Sequence, residues 1–322
     1  MAIKNQKICV VGAGNWGVNH IRTLDELNSL GGIVEKDSGL VSTLKSEYSK
    51  YKYHNSLEDA LYKDYDGFIV ATPPKTHFEI AKRIIQAEKP LLVEKPLTLN
   101  LKDAIVLNNL AKERKTNLMV GHLLLFHPAF KKIDSLIKSG KIGEIQYMYS
   151  NRINLGTIRS DENVFWSFAP HDIALFNYFF KESPSEVVSN GVDILQKGIH
   201  DTTITSFRYK QNKMGHIFVS WLHPFKEHRF VIIGSRGMIH FDDAQKNNPL
   251  IYYDKKVEFH GSIPSPHSGD MEIIEYKDEL PLTNELKYFI SNLTSDSIEI
   301  ANGDSAVEVI RILETASKSL NV

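Results

Sequence analysis

The chain holds one cysteine, Cys9, among 322 residues. No internal disulfide can form, and a cysteine-built metal centre is excluded. Cys9 lies in the first apolar run, Ile8-Cys9-Val10-Val11, where a buried, inert thiol is expected. Long apolar runs are also missing: none approaches the roughly 18 residues that a membrane span requires. The opening Met-Ala-Ile-Lys-Asn-Gln-Lys carries no apolar signal stretch, so a cytoplasmic location is expected. Neither charge sign dominates, with 38 Lys and Arg against 39 Asp and Glu and a net charge of −1. Such a balance gives no global field toward nucleic acid or anionic lipid, and neither partner is expected. His122 with His127, or His216 with His223, lack the carboxylate or cysteine companions of a metal site, so no metal is expected. Internal repeats and low-complexity tracts are absent.

What is present is ordinary for a folded enzyme-sized chain: 42% hydrophobic and 24% charged residues, at a length that suits two domains. The first part alternates apolar runs with helical periodicity. Strands are predicted at 8–11, from 33, and at 67–71, 90–93 and 117–121. Helices are predicted at 15–30, around 40–48, at 77–87 and at 101–114, with Gly31-Gly32 ending the first and Ser56-Leu57-Glu58-Asp59 reading as a capped short helix. Repeated strand–helix units imply a parallel sheet covered on both faces.

After 121 the texture changes to helices at 128–139 and 171–180 and a long strand-rich stretch, 187–259. A Ser-, Pro- and Gly-rich loop is predicted at 261–270, and two closing helices at 284–293 and 304–320. The predicted fold is an amino-terminal Rossmann doubly wound parallel sheet over 1–121. An α+β domain over 122–322 follows, with an open, mostly antiparallel sheet. Too few helices lie in the second half to cover both faces of that sheet. A homodimer or homotetramer through the open face is expected, unless loops such as 151–165 cover it.

Gly12-Ala13-Gly14-Asn15-Trp16-Gly17 follows the first strand and opens the first helix. Gly12 allows the tight turn, Gly14 the approach of a pyrophosphate and Gly17 close helix–strand packing, while the helix amino terminus offers free N–H groups to phosphate. Glu35, at the end of the second strand, is placed to accept hydrogen bonds from the adenosine ribose and to repel a 2′-phosphate, so NAD is expected over NADP. Asp37 is the fallback acid. Asn15 and Trp16 belong to the same loop. Thr72-Pro73-Pro74 ends a buried strand at the sheet edge where ligands lie, and the cofactor-binding set takes in Thr72, Pro73, His77 and Glu94. Two readings of His77 stand side by side: a contact on the nicotinamide side, or a solvated first-turn histidine.

Glu94-Lys95-Pro96 closes the apolar run 90–93, and a cis Lys-Pro bond suits the turn. A lysine at a strand end beside a nicotinamide can handle a hydroxyl proton; without the glycine loop upstream, a surface lysine is the preferred reading. Phe165-Trp166-Ser167-Phe168-Ala169-Pro170-His171-Asp172 supplies the second candidate. His171 is placed to accept an alcohol proton, and Asp172 either orients it or stabilises the helix amino terminus.

At these residues the chain resembles the Gfo/Idh/MocA oxidoreductases over essentially its whole length. The resemblance rests on the glycine loop, Ala71-Thr72-Pro73 with His77, Glu94-Lys95-Pro96 and the helix-start histidine. It implies that Lys95 and His171 are the catalytic pair. Members usually carry an aspartate four residues before the histidine, where this chain has Ser167. A likeness to the nucleotide-sugar branch rests on Gly121-His122, Phe126-His127-Pro128, Ser150-Asn151-Arg152, the 166–172 segment and Ser220-Trp221-Leu222-His223-Pro224. It implies oxidation of the 3-hydroxyl of UDP-N-acetylglucosamine or its uronic acid in surface-polysaccharide synthesis. The substrate set is then Arg152, Arg159, Trp166, Ser167 and Asp172, with Lys226 and Arg229 as further cations suited to an anionic sugar. The rival readings are a polyol or free-sugar dehydrogenase and a non-catalytic NAD-binding sensor.

Overall fold

A computed structural model describes residues 6–245 and 249–320. Two compact units emerge. One runs from the amino terminus through Leu123 and includes Leu280–Ile310; the other comprises Leu124–Glu279 and the chain from Arg311 on. The linear division at residue 121 does not represent the return of 280–310 to the first unit.

The first unit contains β1 (Ile8–Val11), α1 (Asn15–Glu26), β2 (Leu30–Val34), α2 (Ser38–Glu47), β3 (Lys52–His54) and α3 (Leu57–Leu61). It continues with β4 (Gly67–Val70), α4 (His77–Gln86), β5 (Leu91–Val93), α5 (Leu101–Glu113) and β6 (Leu118–Val120). Their six strands lie parallel in the order β3-β2-β1-β4-β5-β6. Every residue of β1, β4, β5 and β6 is buried, as strands covered on both faces require. Ser56 caps α3 by accepting from the Asp59 N–H at 3.2 Å, as its sequence suggests.

Gly31 and Gly32 do not end the first helix; they lie inside β2, and the helix stops at Glu26. Tyr65 accounts for the glycines there. A Cβ on Gly32 would lie 2.1 Å from the Tyr65 hydroxyl, and one on Gly31 2.9 Å from its ring. The tyrosine lies across the strand and reaches His54 Nε2 at 2.8 Å.

The second unit contains α6 (Pro128–Lys138), β7 (Ile145–Leu155), α7 (Val164–Phe168), α8 (Pro170–Phe180), β8 (Glu186–Val192), β9 (Thr202–Arg208) and β10 (Met214–Ser220). After these come β11 (Leu222–Gly234), β12 (Met238–Asp242), β13 (Leu250–His260) and β14 (Ile263–Ile273). Helices α9 (Pro281–Ser291) and α10 (Gly303–Leu320) close the chain. The eight strands form one sheet, β14-β13-β12-β11-β7-β10-β9-β8, antiparallel except for β10 beside β7. One face packs an aromatic core, where Phe176 meets Phe207 and Phe230, and Phe130 meets Phe230 and Phe241. Pairing places Ile204, Phe218 and Asn151 in one row on the opposite face, and Val188, Ser206, His216 and Tyr149 in the next. Ile204 is 53% exposed there.

The segment predicted as a loop at 261–270 is mostly β14. Its prolines are tolerated because β14 is the edge strand, paired only with β13, where Pro264 and Pro266 face Phe259 and Val257. Among the described residues no helix is long and apolar enough to cross a membrane.

Candidate active site

The dinucleotide loop is built by close contact. Gly12 has φ +93°, and a Cβ on Gly17 would lie 2.0 Å from the Gly12 carbonyl oxygen, so the helix starts almost against the turn. Gly14 faces open space, with no neighbouring atom within 4 Å of where a Cβ would stand. A cavity of about 440 Å³ opens beside it, lined by Gly12, Gly14, Glu35, Leu40, Thr72 and Ile80, among others. That volume and its apolar walls fit the adenosine half of a dinucleotide. Glu35 braces the loop: Oε2 accepts from the Ala13 N–H at 2.7 Å, and Oε1 from the Lys36 and Asp37 N–H groups at 2.7 and 2.9 Å. Asp37, the fallback acid, is occupied as the amino-terminal cap of α2, accepting from Gly39 and Leu40. The cavity's arginine, Arg83, is paired with Glu58. Asn15 and Trp16 open α1, with Trp16 45% exposed.

His77 is fully buried and does not sit in solvent. Its Nδ1 lies 2.8 Å from the Pro96 carbonyl and its Nε2 2.8 Å from the Thr72 carbonyl. Both ring nitrogens thus face backbone carbonyls, and the neutral ring, with one N–H, donates to one of them between the Thr72 loop and the turn after Lys95. Burial lowers its pKa. The Thr72 hydroxyl accepts from Thr76 at 2.7 Å, and Pro73 begins the turn into α4. The Lys95-Pro96 bond is cis.

Glu94 faces inward beneath Lys95. Its Oε1 accepts from His20 Nε2 at 2.7 Å and its Oε2 from the Lys95 N–H at 3.2 Å. Burial opposes its charge, but His20 and then Lys95 outweigh burial and hold the carboxyl below the usual range. A Cβ on Gly121 would stand 3.0 Å from Glu94 Oε2, so the glycine makes room for the carboxylate. His122 follows, and burial pushes its pKa down to about 4. Helix α9 packs on α1 and adds Glu285, which is 1% exposed. Burial, then the Glu94 charge, pushes the Glu285 carboxyl well above its usual range.

Sequence reasoning passed over His20 and Glu285 in this cluster. A signal existed for Glu285: it shares the buried face of α9 with Leu286 and Phe289. His20 gives none, since a histidine on the inner face of a helix reads as packing.

In the second unit, α7 carries Trp166 and Ser167, and His171 and Asp172 lie in the first turn of α8. Trp166 Nε1 donates to Ser317 Oγ at 2.8 Å. Asp172 is 1% exposed and receives a fork from Arg152, Nε to Oδ2 at 3.0 Å and Nη2 to Oδ1 at 3.2 Å, together with the Ser150 hydroxyl at 2.7 Å. Burial disfavours the guanidinium charge, but Asp172 overcomes it and raises the Arg152 pKa. Two members of the expected substrate set thus neutralise each other, and Asp172, in the first turn of α8, holds Arg152 and Ser150. The other cations have weaker carboxylate neighbours: Arg159 Nε is 3.9 Å from Glu162, and Arg229 Nε 3.5 Å from Glu227. Cys9 is buried, and burial raises its thiol pKa.

A glycine loop on a doubly wound sheet, an acid at the end of β2 and a lysine at the end of β5 define an NAD-binding oxidoreductase. Residues 6–122 match the family model for the oxidoreductase family with an NAD-binding Rossmann fold, and residues 130–240 match the carboxyl-terminal domain of the same family. The chain belongs to the Gfo/Idh/MocA family. It is similar to a myo-inositol 2-dehydrogenase of Thermotoga maritima, at 25% identity over 98% of this chain and 96% of that protein. It is also similar to a UDP-N-acetylglucosamine 3-dehydrogenase of Acidithiobacillus ferrooxidans, at 28% identity over 57% of each chain. A crystal structure of the Acidithiobacillus enzyme superimposes with a TM-score of 0.85 at 21% identity, covering 98% of this chain and 97% of that one. A protein from gentamicin A biosynthesis, solved in complex with NAD, shares the fold with a TM-score of 0.82 at 20% identity, covering 100% of this chain and 95% of that one.

Proposed function

We propose that the protein oxidises a sugar hydroxyl with NAD, the favoured substrate being the 3-hydroxyl of a UDP-N-acetylhexosamine or its uronic acid. The observation that carries the oxidoreductase chemistry is Lys95, held at the end of β5 by Glu94 and the Pro96 turn, in the unit that carries the glycine loop. NAD, when bound, would supply the hydride acceptor for oxidation of the carbinol carbon. Lys95 and His171 are assigned the hydroxyl proton. The glycine loop, Glu35, Thr72 and Pro73 hold the cofactor, while Trp166, Ser167 and Arg159 are assigned to the sugar. Ser167, where relatives carry an aspartate, gives a neutral hydroxyl contact, so proton transfer falls to the other two. The similarity to the UDP-N-acetylglucosamine 3-dehydrogenase supports this substrate class.

A second reading, a polyol such as inositol, draws on two observations. The inositol dehydrogenase match extends over 98% of the chain, and Arg152 spends its charge on Asp172. A panel of UDP-sugars, free sugars and inositols with NAD, followed by NADH absorbance, separates the two. Turnover confined to UDP-sugars is expected, and turnover confined to free polyols sinks the nucleotide-sugar reading. Assembly through the open face of the eight-stranded sheet belongs to the same proposal.

A further inference from the structure

Glu285 is an acid in the wrong place for an ionised one. It lies on the buried face of α9, 1% exposed, and neither of its carboxyl oxygens accepts a hydrogen bond from a protein donor. An ionised carboxyl so placed has neither solvent nor donors to stabilise it, and retention of its proton is the ordinary outcome. The surrounding groups reinforce this. Glu94, after β5, already carries the negative charge, fixed by His20 from α1 and by the Lys95 N–H. His122, after β6, is held neutral by burial, and Lys95 is the cation of the group. Two buried carboxyls acting on one another do not both ionise readily.

We infer that Glu285 is a positioning residue, a buried neutral carboxyl that leaves Glu94 as the single anion of the cluster beside Lys95. A second anion there would bind the lysine's proton more tightly and withdraw the free amine that accepts a hydroxyl proton. This catalytic consequence rests on the function proposed above; the protonation state of Glu285 does not.

The test begins without substrate. Denaturant stability of the full-length wild type and of Glu285→Gln is compared from pH 5 to pH 9. Glu285 has a folded pKa above its unfolded value, so its contribution is fully present below about pH 4.3 and is lost as pH rises. The Gln variant, which has nothing to ionise, gains on the wild type by up to about tenfold in the folding equilibrium per pH unit, until Glu285 ionises in the folded state. A difference that stays flat with pH overturns the inference. Glu94→Gln should narrow the pH window of that gain, and an unaltered window removes Glu94 from the account. If the Gln variant does not fold, infrared spectra of the wild type decide: a protonated-carboxyl stretch persisting at pH 8 is expected, and its absence overturns the inference. With a productive substrate, Glu285→Gln should shift the alkaline limb of the kcat profile, and an unmoved limb denies the positioning role. Failure of the whole substrate panel would count against the proposed function alone, because the stability and infrared results need no turnover.

Discussion

Single residues here are defined by what they are paired with. Lys95 stands out in the sequence as a candidate because it follows an apolar strand end and precedes a turn proline. Lys95→Ala is expected to leave NADH binding near that of the wild type and to lower kcat by about a hundredfold or more, as loss of an acid–base group does; steady-state rates beside a fluorescence titration check both halves. Arg152 was legible only as a cation, because its partner Asp172 lies 20 residues away on another element. Arg152→Ala strands a buried carboxylate and should cost about 3–5 kcal/mol in denaturant melts, whereas Arg152→Met with Asp172→Leu should recover most of that loss. His122 gives a pH signature. Its ordinary pKa of 6.5 falls to about 4 in the fold, so the unfolded chain takes the proton first on acidification. Stability is full above pH 6.5 and is lost as pH falls to about 4, on the order of 3 kcal/mol for this group alone. Denaturation midpoints of the wild type against His122→Asn over that window measure it, and parallel curves would refute it.

Among the elements, periodicity was a sound guide wherever burial followed from local pattern. The all-apolar strands of the first unit and the helices α5, α6 and α10 are of this kind. It failed where a distant side chain decides the residue type. Gly31-Gly32 looks like a helix stop, but the pair lies in β2 beside β1 and is glycine because Tyr65, more than 30 residues later, occupies the space a side chain would need. Gly32→Ala should therefore overpack β2 and cost about 1–3 kcal/mol. Combining it with Tyr65→Ala should remove that clash, which a double-mutant cycle in urea reads directly. Segment 261–270 failed in the opposite sense. Its Pro-rich composition signals a loop, yet an edge strand needs hydrogen bonds on one side only. The His20–Glu94 bond spans 74 residues, and no local pattern carries such a pairing.

For the whole molecule, the two-part architecture and the open sheet were visible in the change of texture near residue 121. The exposed face combines Ile204 with half-buried Phe218, Tyr149 and His216, an apolar and aromatic surface of the sort that partners cover. Ile204→Glu with Phe218→Glu should shift the protein to monomers in light scattering while its far-ultraviolet circular dichroism stays unchanged. A wild type that is already monomeric, or a variant of unaltered mass, would overturn assembly through this face.

The return of Leu280–Ile310 to the first unit bears on the order in which a ribosome makes this chain. Helix α1 is made before α9 by the whole of the second unit's sheet, so the α9 surface it packs on follows all of those strands in synthesis. Domains that finish early can fold as they are synthesised. Here the nascent dinucleotide-binding half has its flank on α1 uncovered, and His20 and Glu94 lack Glu285, until the strands of the second unit have been made.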